Sequence, residues 1–421
     1  MKQKLLYSFL VLLLGFVLSE PLLRLADPVG LQYFRRSKLV HTYNPEYTIA
    51  LRPNSSEYLK HFSGSWQGQF SVNSFGMRDL EEPKKNIEKI ICMGDSLAMG
   101  YGVGDGKNFC HLLKHDALPA QVLNAAVDGF GTYGYLIRTE EIIEQVDSIS
   151  TLLLFPTPTD WWIPERFRER GVLPDDEKDS KRETDSFYRN LFQLQFKATE
   201  LSYSLQAIKL SQEQLKLRSS VFSQEMKQLV QDQPIAPVDY LKRAFLRPKK
   251  VPKACESKIE LHPLVCPEPI PPSIQCTSQA PQVSPLPEFT QQNLNRLIQL
   301  SQEQHIRLVV VLLPMQEEEI RCYSHGLHHP NEIYATQAKE FFANKKVDVI
   351  DLMPYTKSMC GLQLSNTEND NSEKREKSKK ETVISDYFLA EDGHLTELGN
   401  QWAANAISKE LRRLKIIGAA K

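Results

Sequence analysis

Five short apolar runs, alternating with segments of helical spacing, constrain this chain more than any other feature. They cover residues 87–93, 121–126, 150–155, 307–313 and 347–352. The fourth, Arg307-Leu-Val-Val-Val-Leu-Leu313, has no polar residue after its first and is stopped by Pro314. Runs like this suit strands covered on both faces, since a strand with one wet face alternates. Between them, residues 135–146, 291–304 and 332–344 repeat their apolar positions at helical intervals, and 396–414 closes the chain in the same way. The stretch after Ser96 has room for a further helix up to about Lys114. Such alternation predicts an α/β chain: five parallel strands in a three-layer α/β/α sandwich. Reactive groups in such sheets collect at the carboxyl ends of the strands.

The third and fourth runs are too far apart for a simple crossover. Residues 163–288 therefore form a large insertion in this domain. Its first part, 187–232, is rich in Gln, Leu, Lys and Glu, with Leu201, Leu205 and Ile208 at helical spacing. One or two amphipathic helices are expected there. They could pack on the parent domain, cap the mouth of a site, lie on a membrane or bind a protein partner. The second part, 246–287, is dense in proline and reads as an extended linker. Residues 365–381 are charged and solvated, with little reason for order. The expected organisation is an N-terminal segment 1–25, a lead-in 26–85, a first half-domain 86–162, the insertion 163–288 and a second half-domain 289–421. The lead-in is turn-rich and without long periodic runs, with residues 71–79 as a short extended piece and a turn.

Lys2 and Lys4 precede the apolar residues 5–18, and Glu20 ends the run. That pattern is an export signal. No small-x-small cleavage site and no lipid-accepting cysteine follow. The run is short against the about 20 residues of a spanning helix, although residues 21–25 lengthen it. A retained signal anchor is favoured, with a cleaved signal and a buried helix as alternatives; the first two place the body outside the cytoplasm. Charge nearly cancels, 51 basic against 52 acidic residues, and no basic stripe interleaves with aromatics, so nucleic acid is not an expected partner.

The 7 cysteines agree with an oxidising compartment. Cys92 and Cys110 read as buried thiols, whereas Cys255, Cys266, Cys276, Cys322 and Cys360 can supply one or two disulfides of undetermined pairing. Cys322, His325, His328 and His329 lack a matching second ligand pair for zinc and read as a polar loop. Gly100-Tyr-Gly-Val-Gly-Asp-Gly106 lies too far past the strand end for a phosphate loop and lacks its lysine, so a flexible turn is the better reading. No metal or cofactor is expected.

The chemistry concentrates in Gly94-Asp95-Ser96, directly behind the first run, and Asp392-Gly393-His394, ahead of the closing helix. A serine hydroxyl attacks well when a histidine takes its proton and a carboxylate orients that histidine. Read alone, Asp-Ser before a helix is also an N-cap. With them stand the Asn124-Ala-Ala-Val-Asp-Gly129 turn, the loop ending in Asp160, and residues 72–79. In this order the blocks resemble the SGNH (GDSL) hydrolase superfamily, in particular its exported, membrane-anchored members.

The resemblance implies a flavodoxin-like domain with Ser96 as nucleophile and His394 as general base. The orienting acid is Asp392, as in the alginate-acetylation-type branch, or Glu391, which stands three residues before the histidine. It also implies an oxyanion hole from the N–H groups of Ser96 and Gly129 and a third donor after the third strand. The family's Asn is replaced there by Thr159, and its glycine by Thr157, so the third donor has a shorter arm. Trp161 and Trp162 are placed to line a sugar or acyl cleft or to pack beneath the insertion. The implied activity is that of a serine esterase or O-acyltransferase on a small, acetyl-type ester of an envelope glycan or lipid. The competing reading is a degenerate domain used for envelope binding or assembly, which Thr159 favours and the intact Ser96, Asp392 and His394 oppose.

Overall fold

The computed structural model describes residues 2–26, 29–61, 63–117, 119–165, 186–212, 270, 274–343, 345–359, 361–364, 379–382, 384–389 and 393–418. Its centre is a sheet of five parallel strands: β1 (Lys89–Gly94), β2 (Gln121–Asn124), β3 (Ile149–Phe155), β4 (Arg307–Leu312) and β5 (Asp348–Asp351). All five coincide with the apolar runs. Their spatial order is β2-β1-β3-β4-β5. The register sets Ile91 beside Leu123 and Leu152, Leu153 beside Val309, and Val310 beside Val349. Every residue of β1 and β2 is buried, which suits their apolar centres, Ile90–Met93 and Val122–Leu123; Lys89, Gln121 and Asn124 at their ends are buried polar side chains.

The helices that join the strands are α1 (Gly131–Gln145), α2 (Glu288–Glu303), α3 (Glu317–Ser324) and α4 (Ile333–Phe342), and α5 (Glu397–Arg413) closes the domain. The chain moves one way from β1 to β2 and the other way for the remaining crossovers. Right-handed connections therefore put the residues after β1 on one face of the sheet and the later crossover helices on the other. In agreement, α1 packs along α2, and α5 packs on the short helix Phe109–Leu112. Between β1 and β3 the strand order reverses, so a cleft opens at their carboxyl ends.

The lead-in is more structured than its sequence suggests. It contains a helix, Val29–Val40, and two antiparallel hairpins, His41–Asn44 with Thr48–Leu51 and Ser55–Lys60 with Gln67–Val72. The second hairpin meets the glycine segment backbone to backbone: a Cβ on Gly68 would fall 2.6 Å from Gly104 Cα. Buried Arg78 fixes the same segment, giving its guanidinium protons to the carbonyls of Met99, Gly100 and Val103 while it stacks 4.1 Å from the Phe70 ring. The turn expected to be flexible is thus clamped.

By chain contacts the protein divides into two units. One comprises Met1–Leu31 and Ala198–Leu261; within it Glu20 accepts hydrogen bonds from the Ser202 hydroxyl and the Tyr203 and Ser204 N–H groups, which hold its carboxyl down at about 2. The N-terminal helix Lys2–Ala26 exposes Val11, Leu14, Val17, Leu18 and Leu22. Among the described residues, no helix is long and apolar enough to cross a membrane. The other unit, Gln32–Lys197 and His262–Lys421, holds the sheet. The expected amphipathic helix of the insertion is present as Ser186–Leu201, and residues 213–269 lie outside the described residues. In the stretch read as solvated, Lys379–Thr382 pairs with Gly361–Leu364.

Cys92 and Cys110, read as thiols, are joined as a disulfide between β1 and the helix Phe109–Leu112. Strand and helix approach closely there, with the two Cα atoms 6.4 Å apart. Cys276 pairs with Cys322 on α3, while Cys255, Cys266 and Cys360 lie outside the described residues.

Candidate active site

Ser96 sits at the corner where β1 ends. Asp95 caps the single helical turn Ser96–Met99, its Oδ1 accepting the Leu97 N–H at 3.0 Å. Gly100, at φ 85°, ends that turn. A helix to Lys114 is therefore not formed; the glycine segment interrupts it, and Phe109–Leu112 and Lys114–Ala117 follow as separate turns. With so short a helix, its dipole adds little at Ser96.

His394 arrives from the opposite end of the chain. Its carbonyl accepts the Leu389 N–H at 2.6 Å, and the Thr396 N–H binds the Tyr387 carbonyl at 3.0 Å, which ties the loop to the start of α5. Its Nε2 lies 2.8 Å from Ser96 Oγ. The Tyr101 ring supports the imidazole at a centroid distance of 4.5 Å and is itself backed by Trp66 at 5.3 Å and by the Tyr33 hydroxyl at 3.0 Å. Nothing in the sequence marked these three aromatics, because they come from separate parts of the chain. Glu391 and Asp392, the candidate orienting acids, lie outside the described residues.

Ser96, His394 and Thr159 line one cleft of about 340 Å³, together with Met315, Gln316 and Asn331. The Asn331 amide donates to Gln316 Oε1 at 2.7 Å, so two carboxamides form one wall. Sequence reasoning missed both, since Gln316 lies on a loop and Asn331 in the short helical turn Pro330–Glu332 past β4, neither within a motif. Gly129 is not among the lining residues. It occupies the next turn, exposed and at φ 67°, with no atom within 4 Å of where a Cβ would stand. The Ala125 and Val127 N–H groups bind the Cys92 and Gly94 carbonyls, so this turn runs beside the Ser96 corner. Trp161 is fully buried, its carbonyl accepting the Thr290 hydroxyl at 2.7 Å, and it belongs to the core rather than to a cleft; Trp162 is half exposed.

Beneath Ser96 lies a buried acid pair. Thr157 Oγ1 is 2.9 Å from Asp95 Oδ2 and 3.0 Å from Asp160 Oδ2, and the Thr157 N–H also reaches Asp160. A hydroxyl has one proton, so it satisfies only one carboxylate; the second contact requires a proton on the acid. Burial raises Asp95, and burial followed by the neighbouring Asp95 charge raises Asp160 well above the carboxylate range. Of the two, Asp160 favours the neutral form more strongly, the form in which it can donate to Thr157 while Thr157 donates to Asp95. The Thr159 hydroxyl, 3.1 Å from Thr157 Oγ1, can turn its proton to Thr157 or into the cleft.

A second cavity, of about 380 Å³, lies past β4, with buried Glu319 on its wall. Its Oε2 accepts the Met315 N–H at 3.3 Å, and burial pushes its carboxyl up to about 7. Among the described residues, no group of three or more His, Cys, Asp or Glu converges to hold a metal ion. His328 pairs with Glu332 at 2.9 Å, and Cys322 is taken by its disulfide.

No protein-family model and no curated protein matches the sequence. Among solved structures, the chain is similar to a member of the lipolytic protein G-D-S-L family from Veillonella parvula, at 12% identity and a TM-score of 0.34, covering 77% of this chain and 99% of that one. It is also similar to the lipase/acylhydrolase from Enterococcus faecalis (11% identity, TM-score 0.34, 80% of this chain and 100% of that one). The psychrotrophic esterase EstA from Pseudoalteromonas sp. gives 11% identity and a TM-score of 0.33, over 78% and 98% of the two chains.

Proposed function

We propose that the chain is a serine hydrolase of the SGNH type, acting outside the cytoplasm on a small acyl ester. The observation that carries this reading is the 2.8 Å contact between Ser96 Oγ and His394 Nε2 at the carboxyl edge of the sheet. Those two residues stand 298 positions apart, and a chance approach at the switch point of the sheet is a poor alternative.

In the proposed reaction, His394 Nε2 takes the Ser96 proton as Oγ attacks the ester carbonyl. The developing oxyanion is met by the N–H groups of Ser96 and Gly129 and by the Thr159 hydroxyl turned into the cleft. His394 then returns the proton to the leaving alcohol, giving an acyl-Ser96 that water or a second hydroxyl discharges. Asp392, or else Glu391, orients the imidazole through Nδ1. Hydrolase and transferase differ only in that last acceptor. The Gln316 and Asn331 carboxamides suit an acceptor or leaving group rich in hydroxyls, which supports an envelope glycan or a lipid headgroup as substrate. The two disulfides support an oxidising compartment. The exposed apolar side chains of Lys2–Ala26 support attachment to a membrane through the N-terminus.

A fluorophosphonate probe and p-nitrophenyl acetate test the reading together. Wild-type protein should label and turn over, and Ser96→Ala should abolish labelling and lower kcat by about 1,000-fold or more. Equal turnover by both proteins would sink it.

A further inference from the structure

The turn that carries Gly129 also carries a carboxylate, and that carboxylate has a partner from the lead-in. His41 Nε2 lies 2.7 Å from Asp128 Oδ1, and His41 Nδ1 lies 2.6 Å from the Ser37 carbonyl oxygen. A carbonyl oxygen only accepts, and so does a carboxylate. Both ring nitrogens must therefore carry protons, which makes His41 an imidazolium paired with an ionised Asp128. The histidine is buried, with 9% of its side chain exposed, while Asp128 is 37% exposed. His41 follows directly on the helix Val29–Val40, whose carboxyl end favours a cation. The charged groups near the pair are Lys38 on that helix, Asp95 after β1, and Arg52 just past the strand Thr48–Leu51, whose guanidinium reaches the His41 carbonyl at 3.0 Å. Burial and Lys38 oppose the charge on His41, yet the Asp128 charge and the hydrogen bonds to Asp128 and Ser37 raise it; against burial, the His41 charge, its hydrogen bond and Lys38 hold Asp128 below the usual carboxylate range.

Asp128 immediately precedes Gly129, whose N–H is an oxyanion donor in the reaction proposed above. Its charge is felt at Asp95, beside the nucleophile. A bare carboxylate there opposes any negative charge forming at the scissile carbonyl. We infer that His41 and Asp128 are positioning residues: the His41 imidazolium neutralises Asp128 and holds the Gly129 turn, so that the turn can receive an oxyanion. This rests on the serine-hydrolase reading for its consequence in catalysis, but the charge pair itself does not.

The consequence is an alkaline limit to activity set outside the catalytic serine and histidine. As pH rises through the raised His41 value, the proton leaves, Asp128 is uncovered and kcat falls. His41→Gln keeps a donor to Asp128 but removes the charge. It should lower kcat for p-nitrophenyl acetate about 10-fold with little change in KM, the scale of one screened charge interaction. Adding Asp128→Asn to that variant should recover most of the loss and remove the alkaline limb, which a purely structural role for His41 would not do. In parallel, nitrogen-15 NMR of the imidazoles in full-length Ser96→Ala protein should show His41 protonated on both nitrogens at neutral pH, and singly protonated when Asp128→Asn is added. A neutral His41 in the first spectrum, wild-type kcat in His41→Gln, or no recovery in the double variant would each overturn the inference. Failure of the serine-hydrolase reading is seen separately, as wild-type turnover no greater than that of Ser96→Ala, and the NMR result still decides the charge pair in that case.

Discussion

At position 159 a hydroxyl stands where the resembled family has a carboxamide, and its one proton is contested. It serves an oxyanion only when it is turned away from Thr157, 3.1 Å distant. A neutral Asp160 helps by occupying a lone pair of the Thr157 oxygen. Thr159→Ala should then lower kcat by about 10-fold or more at unchanged KM in a steady-state ester assay, because the donor acts on charge present only in the transition state. An unchanged kcat would leave the N–H groups alone to do that work. Glu319 gives a second test at this scale. Its folded carboxyl titrates at about 7 against an ordinary 4.5, so it favours the protonated form. The stability associated with that proton is whole below the unfolded value and is lost as pH rises through the folded one, roughly 3 kcal/mol between pH 4.5 and 7. Urea unfolding at pH 5 and pH 8 should show Glu319→Gln losing less stability across the interval than wild type; parallel losses would refute the assignment. The pairing of Ser96 with His394 was legible because each stands in a short motif. The acid pair, Tyr101, Asn331 and His41 were not, since each acquires its role only from neighbours remote in sequence.

Secondary structure was legible in proportion to burial. Four of the five core strands appear in the sequence as apolar runs because most of their residues are buried, whereas in the edge strand β5 only Ile350 is; the long helices appear because one face is covered. The lead-in hairpins gave no such signal. Ser55–Lys60 is exposed on alternate residues and holds Ser, Glu and Lys, so its pairing with Gln67–Val72 is set by contacts elsewhere. The helix expected after Ser96 failed for a local reason, Gly100 at φ 85°. Among connections, the Cys276–Cys322 bond ties the descending end of the insertion to α3, reinforced by the Thr277 and His328 backbone pairing at 2.8 Å. It closes a loop with a sequence separation of 46. Replacing both cysteines with serine should destabilise the fold by about 4 kcal/mol in chemical unfolding, the chain-entropy value for such a loop. A change below about 1 kcal/mol would mean that the backbone pairing alone holds this segment.

For the molecule as a whole, the sheet unit and the unit containing the N-terminal helix invite separate tests. If the N-terminal residues anchor the protein, full-length chain should sediment with membranes through a carbonate wash, and protein lacking residues 1–25 should stay in the supernatant. Recovery of both in the supernatant would remove the anchor from the reading. The order of the strands has one more consequence. The proposed nucleophile is made early, just after β1, whereas its proposed base arrives only just before α5, after every core strand has been synthesised. A chain still being made, or one threaded part-way through an export channel, carries Ser96 without His394. On the proposed reading, the Ser96–His394 pair is therefore incomplete on the ribosome and is assembled only when the last helix docks.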